Sequence, residues 1–457
     1  MQKPNLFFTV LLIFVAVFFS YSNSFKNKFV YDDRSLIVEN KYIHNWNYLP
    51  AFFRTGMWSF KESPERPVYY RPLPAVTFLV DYTIWGLNPS GYHFVNTLFH
   101  AVNGMLVFLI LNSLTGNFHL AAASGLLFAV HPAQTEAVTF ISSRCEVLFL
   151  FFLLLTILLF IKDKILFSTI CFSLALLSKE TALITPALLF LVTYYFLPDK
   201  LAGNLKKFVP SLIVIAVYFL FRATVLPPVK QSGDILTSLN RFAYSMTYGV
   251  LIYLRILFFP VNLFVEYDLR HRIYIFEPVT ILSILLSTSL FIIAFLTGKN
   301  LKVISFSIFW FYAGLLPASH ILYRMPYLVA ERMLYLPSIG FCIFIGWVMS
   351  KMFEKNKGLS VTTFIIILLI FSMRTINRNF DWGDELLLWG GVLKQFPELP
   401  KAHMNLGVAY DNVGNYEKAI EHYKKALDME YFPEPIRLNL ASIYKKMNRI
   451  DLSLNEY

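Results

Sequence analysis

Tyr31-Asp32-Asp33-Arg34 sets two adjacent carboxylates beside a guanidinium, just past the first apolar run of a 457-residue chain. Charged side chains at membrane depth are expensive, roughly 2.5–3.5 kcal/mol each at a helix centre on insertion scales, and are usually functional. A carboxylate there can act as general base toward an acceptor hydroxyl. A pair of carboxylates can alternatively hold a divalent cation through oxygen ligands, and metal dependence stays open. Either chemistry needs partners. Arg71 closes the same polar stretch, residues 24–71, and His93 opens the next apolar run with His100 two turns deeper. HPAQTEAV carries His131 and Glu136, Arg144 and Glu146 begin a further run, and Ser178-Lys179-Glu180 separates two more. A later polar region holds Glu266, Tyr267, Asp268 and Arg270, and Glu331-Arg332 precedes another apolar run.

Composition says what positions these groups. The chain is 56% hydrophobic and 15% charged, with a mean hydropathy of +0.55. A soluble domain carries about 25% charged residues, so this is a polytopic membrane protein followed by something else. The net charge of +11 reads as membrane orientation and not as nucleic-acid binding, because the lysines cluster in short loops between apolar runs. Cys145, Cys171 and Cys342 have no paired spacing and read as buried small hydrophobes. The run Leu6–Tyr21 follows Lys3 like a signal peptide, but no A-x-A site follows it, and an uncleaved first span is the reading taken.

Further spans fit 92–114, 119–135, 145–161, 165–178, 181–197, 208–226, 278–297, 303–317, 332–350 and 359–375. Pro72–Leu87, interrupted by Asp81 and prolines, reads as an interfacial helix. The expected fold is therefore all-α: a polytopic membrane helix bundle of about eleven spans across residues 1–376. Residues 24–91 form its first extracytoplasmic loop and 227–277 its second, although an amphipathic stretch at Leu239–Phe259 could cross. A cytoplasmic N-terminus puts Lys162, Lys164, Lys200, Lys206, Lys207, Lys299, Lys302, Lys351, Lys355 and Lys357 inside. Nearly every other charge near a span end then faces out, which favours one outer pocket.

Each group has a plainer reading too. Asp32-Asp33 could cap a helix or pair with Arg34 and Arg71. His131-Pro132 could be a kink with its imidazole on a carbonyl, Lys179-Glu180 a surface pair, and Glu331-Arg332 an interfacial anchor. A shared side for five separate segments argues for the pocket. Arginine binds phosphate bidentately and stays charged, so Arg71, Lys179 and Glu331-Arg332 suit a phosphate headgroup on a greasy tail. A lipid-phosphate sugar is the natural donor, its phosphate leaving as a hydroxyl attacks the anomeric carbon.

Residues 377–400 read as linker and half-repeat, with a helix over Asp384–Lys394. In 401–457, Leu406-Gly407, Tyr410, Gly414, Tyr416, Ala419, Tyr423 and Ala426 fall on tetratricopeptide positions. Leu440-Ala441, Tyr444 and Asn448 begin a second register 34 residues on, and this second repeat reads as incomplete.

FVYDDRSLIVEN, YRPL, GYHFVNTLFH, HPAQTEAV, LLSKE and LVAERMLYLPSIGF, then NFDWGDE and the repeats, together resemble the TMTC-type transmembrane and tetratricopeptide-repeat proteins. Those are GT-C glycosyltransferases related to the protein O-mannosyltransferases. The resemblance implies an inverting transfer from a polyprenyl-phosphate sugar, with one of Asp32 and Asp33 as base and Arg332 on the donor phosphate. His93, His131, Glu136, Arg144, Lys179 and Glu180 match family motifs without assigned roles. The repeats would hold a protein acceptor. Lean loops point to a prokaryotic inner (plasma) membrane and an undecaprenyl-linked donor, with site and repeats extracytoplasmic. A lipid or polysaccharide acceptor would instead leave activity intact after deletion of residues 380–457. A non-catalytic membrane-anchored scaffold would tolerate Asp32→Asn and Asp33→Asn.

Overall fold

A computed structural model describes residues 5–58, 69–198, 203, 205–226, 248–267, 278–319 and 327–456. The described residues are helical or in turns, with no strand among them. After α1 (Leu6–Tyr21) come α2 (Leu49–Arg54) and α3 (Pro72–Trp85). The bundle continues with α4 (Pro89–Thr115), α5 (Phe118–Val130), α6 (Thr135–Thr139), α7 (Arg144–Ile161), α8 (Ile165–Ser178) and α9 (Thr185–Phe196). Next are α10 (Val209–Val225), α11 (Val250–Phe258), α12 (Pro278–Thr297), α13 (Lys302–Leu315), α14 (Ser338–Lys355) and α15 (Lys357–Asp381). The last five are α16 (Glu385–Gln395), α17 (Pro400–Asn412), α18 (Tyr416–Asp428), α19 (Pro433–Lys446) and α20 (Ile450–Glu456).

Asparagine starts several of these helices. Asn5, Asn88, Asn117 and Asn356 each accept a backbone N–H of the first turn of α1, α4, α5 and α15, satisfying a donor the helix cannot. Among the described residues, six helical stretches are long and apolar enough to cross a membrane by length and composition: Leu6–Lys26, Pro89–Thr115, Ile141–Ile161, Lys206–Val225, Pro278–Thr297 and Lys357–Asp381. Phe118–Val130, Ile165–Ser178, Glu180–Phe196 and Lys302–Ala318 are apolar but shorter. The expected span at 119–135 stops at Val130, because Pro132 disfavours helical backbone at His131. The one expected from 332 begins at Ser338, after a 3-10 turn over Glu331–Leu334. Of the second outer region, only 248–267 is described. Residues 239–247 with Arg241, and Asp268 and Arg270, lie outside the described residues, so whether Leu239–Phe259 crosses is left to the topology proposed below.

Several turns between helices are tied to neighbouring elements by lysine and aromatic contacts. Lys207 pairs with Asp163, tying the start of α10 to the α7–α8 turn. Lys299 and Lys302 lie over the rings of Tyr194 and Phe196 at the end of α9. His119, at the start of α5, stacks on Phe353 near the end of α14. Cys145 and Cys342 are buried free thiols and Cys171 is half-buried.

α5 and α14 pack closely because Gly346 faces Ser124. A methyl at Gly346 would stand 2.7 Å from the Leu120 carbonyl oxygen and press on the Ser124 hydroxyl. Small residues let membrane helices approach in this way, where no hydrophobic effect drives them together. Gly346→Ala should therefore destabilise the bundle by about 1–3 kcal/mol through overpacking, read as a lower Tm of the detergent-solubilised protein. An unchanged Tm would mean that the two helices part freely.

Candidate functional site

The first loop leaves α1 through a 3-10 turn at Ser22–Lys26 and reaches a tight turn at Val30–Asp33. Asp33 N–H donates to the Val30 carbonyl at 3.0 Å, and Val30 N–H donates back to Asp33 Oδ2 at 3.1 Å. Inside this turn Tyr31 has φ +53°. Glycine is usual where the first central residue of a turn is left-handed, and holding a bulky residue there costs on the order of 1–3 kcal/mol. The surroundings over-determine it. The Tyr31 ring meets Trp389 at 5.3 Å and Phe140 at 6.0 Å, and its N–H donates to Glu385 Oε1 at 3.1 Å.

The two acids of the turn differ in environment. Asp33 is fully buried; its Oδ1 accepts the Ser142 N–H at 2.7 Å and the Ser142 hydroxyl. Burial raises its ionisation to about 7 against the pull of the Ser142 and Val30 donors. Asp33 thus fastens the first loop to the segment before α7. Asp32 is half-buried and acts electrostatically on the Tyr31 phenol, as do Lys401, Glu266 and Arg332. Burial pushes that phenol to about 12, with smaller contributions from these four charges. Four separate segments therefore bring a charge within electrostatic reach of one phenol: the first loop, residues 248–267, the Glu331-Arg332 turn and the first repeat.

Most of the remaining expected residues are paired. Arg332 donates its backbone N–H to Glu136 Oε2 at 2.9 Å and a guanidinium N–H to Glu136 Oε1, and its guanidinium lies over the Tyr327 ring. Glu331 turns the other way, accepting the Tyr267 hydroxyl at 2.8 Å and Arg378 at 3.2 Å. Arg378 also holds Asp381 at 2.8 Å. Burial raises Glu331 to about 7, with Arg378 opposing and Glu136 adding to the rise. Lys179 pairs with Glu146, and both line a narrow cavity with Phe149, Thr181, Gly314, Ala318, Met333 and Leu336. Arg71 grips Glu180 with two N–H groups and donates weakly to Cys145 Sγ at 3.6 Å.

Arg144 belongs to a different cluster. It pairs with Asp81 at 2.7 Å and donates to Asn96 Oδ1 and to the Tyr92 carbonyl at 3.1 Å, locking α3 to α4 and α7. His131 uses both ring nitrogens on backbone: Nδ1 accepts the Ala133 N–H at 3.1 Å and Nε2 donates to the Leu257 carbonyl at 2.9 Å. The imidazole-on-carbonyl reading is the one its geometry matches. His93 is buried in α4, facing the backbone of Asn27 and Thr139. No three His, Cys, Asp or Glu side chains among the described residues gather as a ligand set. Both Asp33 oxygens are taken by N–H and O–H donors, so the acidic pair does not present four open oxygens to a cation.

Sequence reasoning did not single out Asp81, Asn96, Ser142, Arg378, Glu385 or Lys401 as site residues. For Arg378 a signal was present, an arginine ending the apolar run of α15 inside the quoted NFDWGDE neighbourhood. Asn96 lay inside the quoted GYHFVNTLFH, and Ser142 had no signal. Their importance comes from helix packing alone.

Residues 400–430 match the tetratricopeptide repeat family, consistent with the α17–α18 hairpin in which Gly407 lies against the Tyr423 ring. The whole chain is similar to proteins bearing the name Protein O-mannosyl-transferase. One from Mus musculus is 29% identical over 96% of this chain and 53% of its own length. One from Homo sapiens is 27% identical over the same shares, and one from Caenorhabditis elegans is 28% identical over 92% of this chain and 62% of its own. The chain spans about half the length of the first two.

The raised ionisation of Asp33 fixes the sign of a pH effect. The folded state holds this proton up to about pH 7, whereas an unfolded aspartate releases it near 3.9. Its contribution to stability is then fully present below about pH 4 and lost as pH rises through about 7. In Asp33→Asn the titration is gone. The stability lead of wild type over this variant should therefore be larger at pH 5 than at pH 7.5 in thermal unfolding, and a lead that grows with pH would contradict the burial argument.

Proposed function

We propose that this chain is a membrane glycosyltransferase that moves a sugar from a polyprenyl-phosphate donor to a hydroxyl of a protein acceptor on the extracytoplasmic face. The supporting observation is that Asp32, Arg332, Glu266 and Lys401 all act electrostatically on the Tyr31 phenol, with Lys401 paired to Glu266. Similarity to named O-mannosyl-transferases along nearly the whole chain points the same way. The topology is the eleven-crossing one with the N-terminus in the cytoplasm. Lys207, Lys299, Lys302 and Lys357, which lie in or beside turns between helices, support it, since cytoplasmic loops carry an excess of lysine.

Asp32 is the general base. It takes the acceptor hydroxyl proton as the oxygen bonds to the anomeric carbon, and the bond from that carbon to the phosphate oxygen breaks with its electron pair. A single displacement inverts the anomeric centre. Arg332 meets the leaving phosphate. A guanidinium has five N–H donors in a rigid fork, so the bond to Glu136 orients it without exhausting it. Lys179 is a second phosphate contact, because its partner Glu146 acts electrostatically on Arg332. Arg71, held by two bonds to Glu180, and Arg144, held by Asp81, keep structural parts. The relatives compared are animal proteins, so dolichyl and undecaprenyl donors both belong in the assay; the prokaryotic inner membrane remains part of the proposal through the second.

Transfer from labelled polyprenyl-phosphate mannose in membranes expressing the chain tests this reading. Loss of a general base costs about 10²–10⁴-fold, so Asp32→Asn should lose at least a hundredfold of kcat. Arg332→Ala should raise the donor KM and lower kcat. Full activity in Asp32→Asn at normal expression would put the base elsewhere, and product in the lipid fraction would replace the protein acceptor.

A further inference from the structure

The segment Trp382-Gly383-Asp384-Glu385 lies between the membrane bundle and the repeats, and the mechanism above gives it no part. Trp382 is fully buried, stacked on Phe140 at 5.0 Å. The Gly383 carbonyl accepts the Lys28 N–H at 3.2 Å. Asp384 caps α16 by accepting the Leu387 N–H at 2.9 Å. Glu385 then reaches two ways: Oε1 accepts the Tyr31 N–H at 3.1 Å, and Oε2 accepts Asn412 Nδ2 at 2.9 Å. One carboxylate thus joins the left-handed residue before Asp32 to the end of the first repeat helix. Lys401, on the same helix, reaches Glu266 at 2.6 Å. Burial opposes its charge, but Tyr31 and Glu266 together hold the ammonium above its ordinary range.

We propose that Glu385 is a positioning residue for Asp32, an inference that rests on the reading of Asp32 as base. Tyr31 does not favour φ +53° by itself, so its N–H needs a fixed acceptor for the turn to keep one shape. Glu385 supplies that acceptor, and because α16 and α17 hold Glu385, the repeat module sets the aim of the catalytic carboxylate. The repeats are then part of the catalytic apparatus and not only a receptor for the acceptor.

The test uses the full chain in detergent and compares Glu385→Ala and Glu385→Gln with wild type. Gln keeps an acceptor oxygen for the Tyr31 N–H, so it should stay within threefold of wild-type kcat. Ala should lose at least tenfold of kcat per folded molecule, with donor and acceptor KM changed less than threefold. If Ala yields no folded protein, Glu385→Asp takes its place; its arm is one methylene shorter and cannot span both partners, so the same loss is expected. Amide hydrogen exchange of the peptide spanning Val30–Val38 supplies a readout that needs no activity, and it should rise in Ala or Asp but not in Gln. Unchanged exchange in Ala or Asp overturns the proposal. So does raised exchange with wild-type kcat, or a Gln variant as impaired as Ala. An inactive wild type, or an active Asp32→Asn, would count against the reading of the base, while exchange still decides whether Glu385 holds the turn.

Discussion

A charge taken out of water must be matched, and this bundle is assembled around that requirement. Arg144 with Asp81, Lys179 with Glu146, Arg332 with Glu136 and Arg378 with Glu331 each join residues far apart in the chain. Breaking such a buried pair by removing one partner is strongly destabilising, since the other charge is stranded. The pairs therefore do more than add attraction. Each requires two specific helices or turns to meet, so together they fix which segments surround the Tyr31 turn. Apolar packing alone would hold the helices together with far less say over their register.

Much of this was legible in the sequence, for physical reasons. Apolar runs of membrane length mark the long helices, and the spacing of Gly407, Tyr423 and Ala426 marks the repeat. What could not be read was pairing. Asp32 and Asp33 are neighbours of the same type, yet one is fully buried on Ser142 and the other is only half-buried. That difference depends on where the 140–144 turn packs. Likewise Glu331 and Arg332 look like one motif but face opposite partners, because successive residues entering a 3-10 turn point apart. His131 shows the reverse case. A His-Pro pair at a helix end satisfies backbone groups, and its imidazole does so here on both nitrogens.

The repeats are also less separate than a change in composition suggests. Val30, Phe140, Val265, Trp382, Trp389, Leu399 and Ala402 share one apolar core, so the first loop, the second outer region and the start of the repeat stack bury each other. A linker would leave the two parts to move independently. Here the junction is packed, and the polar contacts of Glu385 and Lys401 lie around it.

That packing makes the length of α15 a frozen quantity. The helix runs unbroken for 25 residues from Lys357 to Asp381, and Trp382 is wedged in place immediately after it. Inserting a single residue would turn everything beyond by about 100° and lift it by about 1.5 Å, swinging Arg378, Trp382 and Glu385 off their partners at once. Insertions can be absorbed in surface loops or at the far side of a solenoid, where each unit touches only its neighbours. The stretch between Lys357 and the first repeat has no such slack, because Trp382 and Glu385 at its end are held by Phe140 and Tyr31 of the bundle.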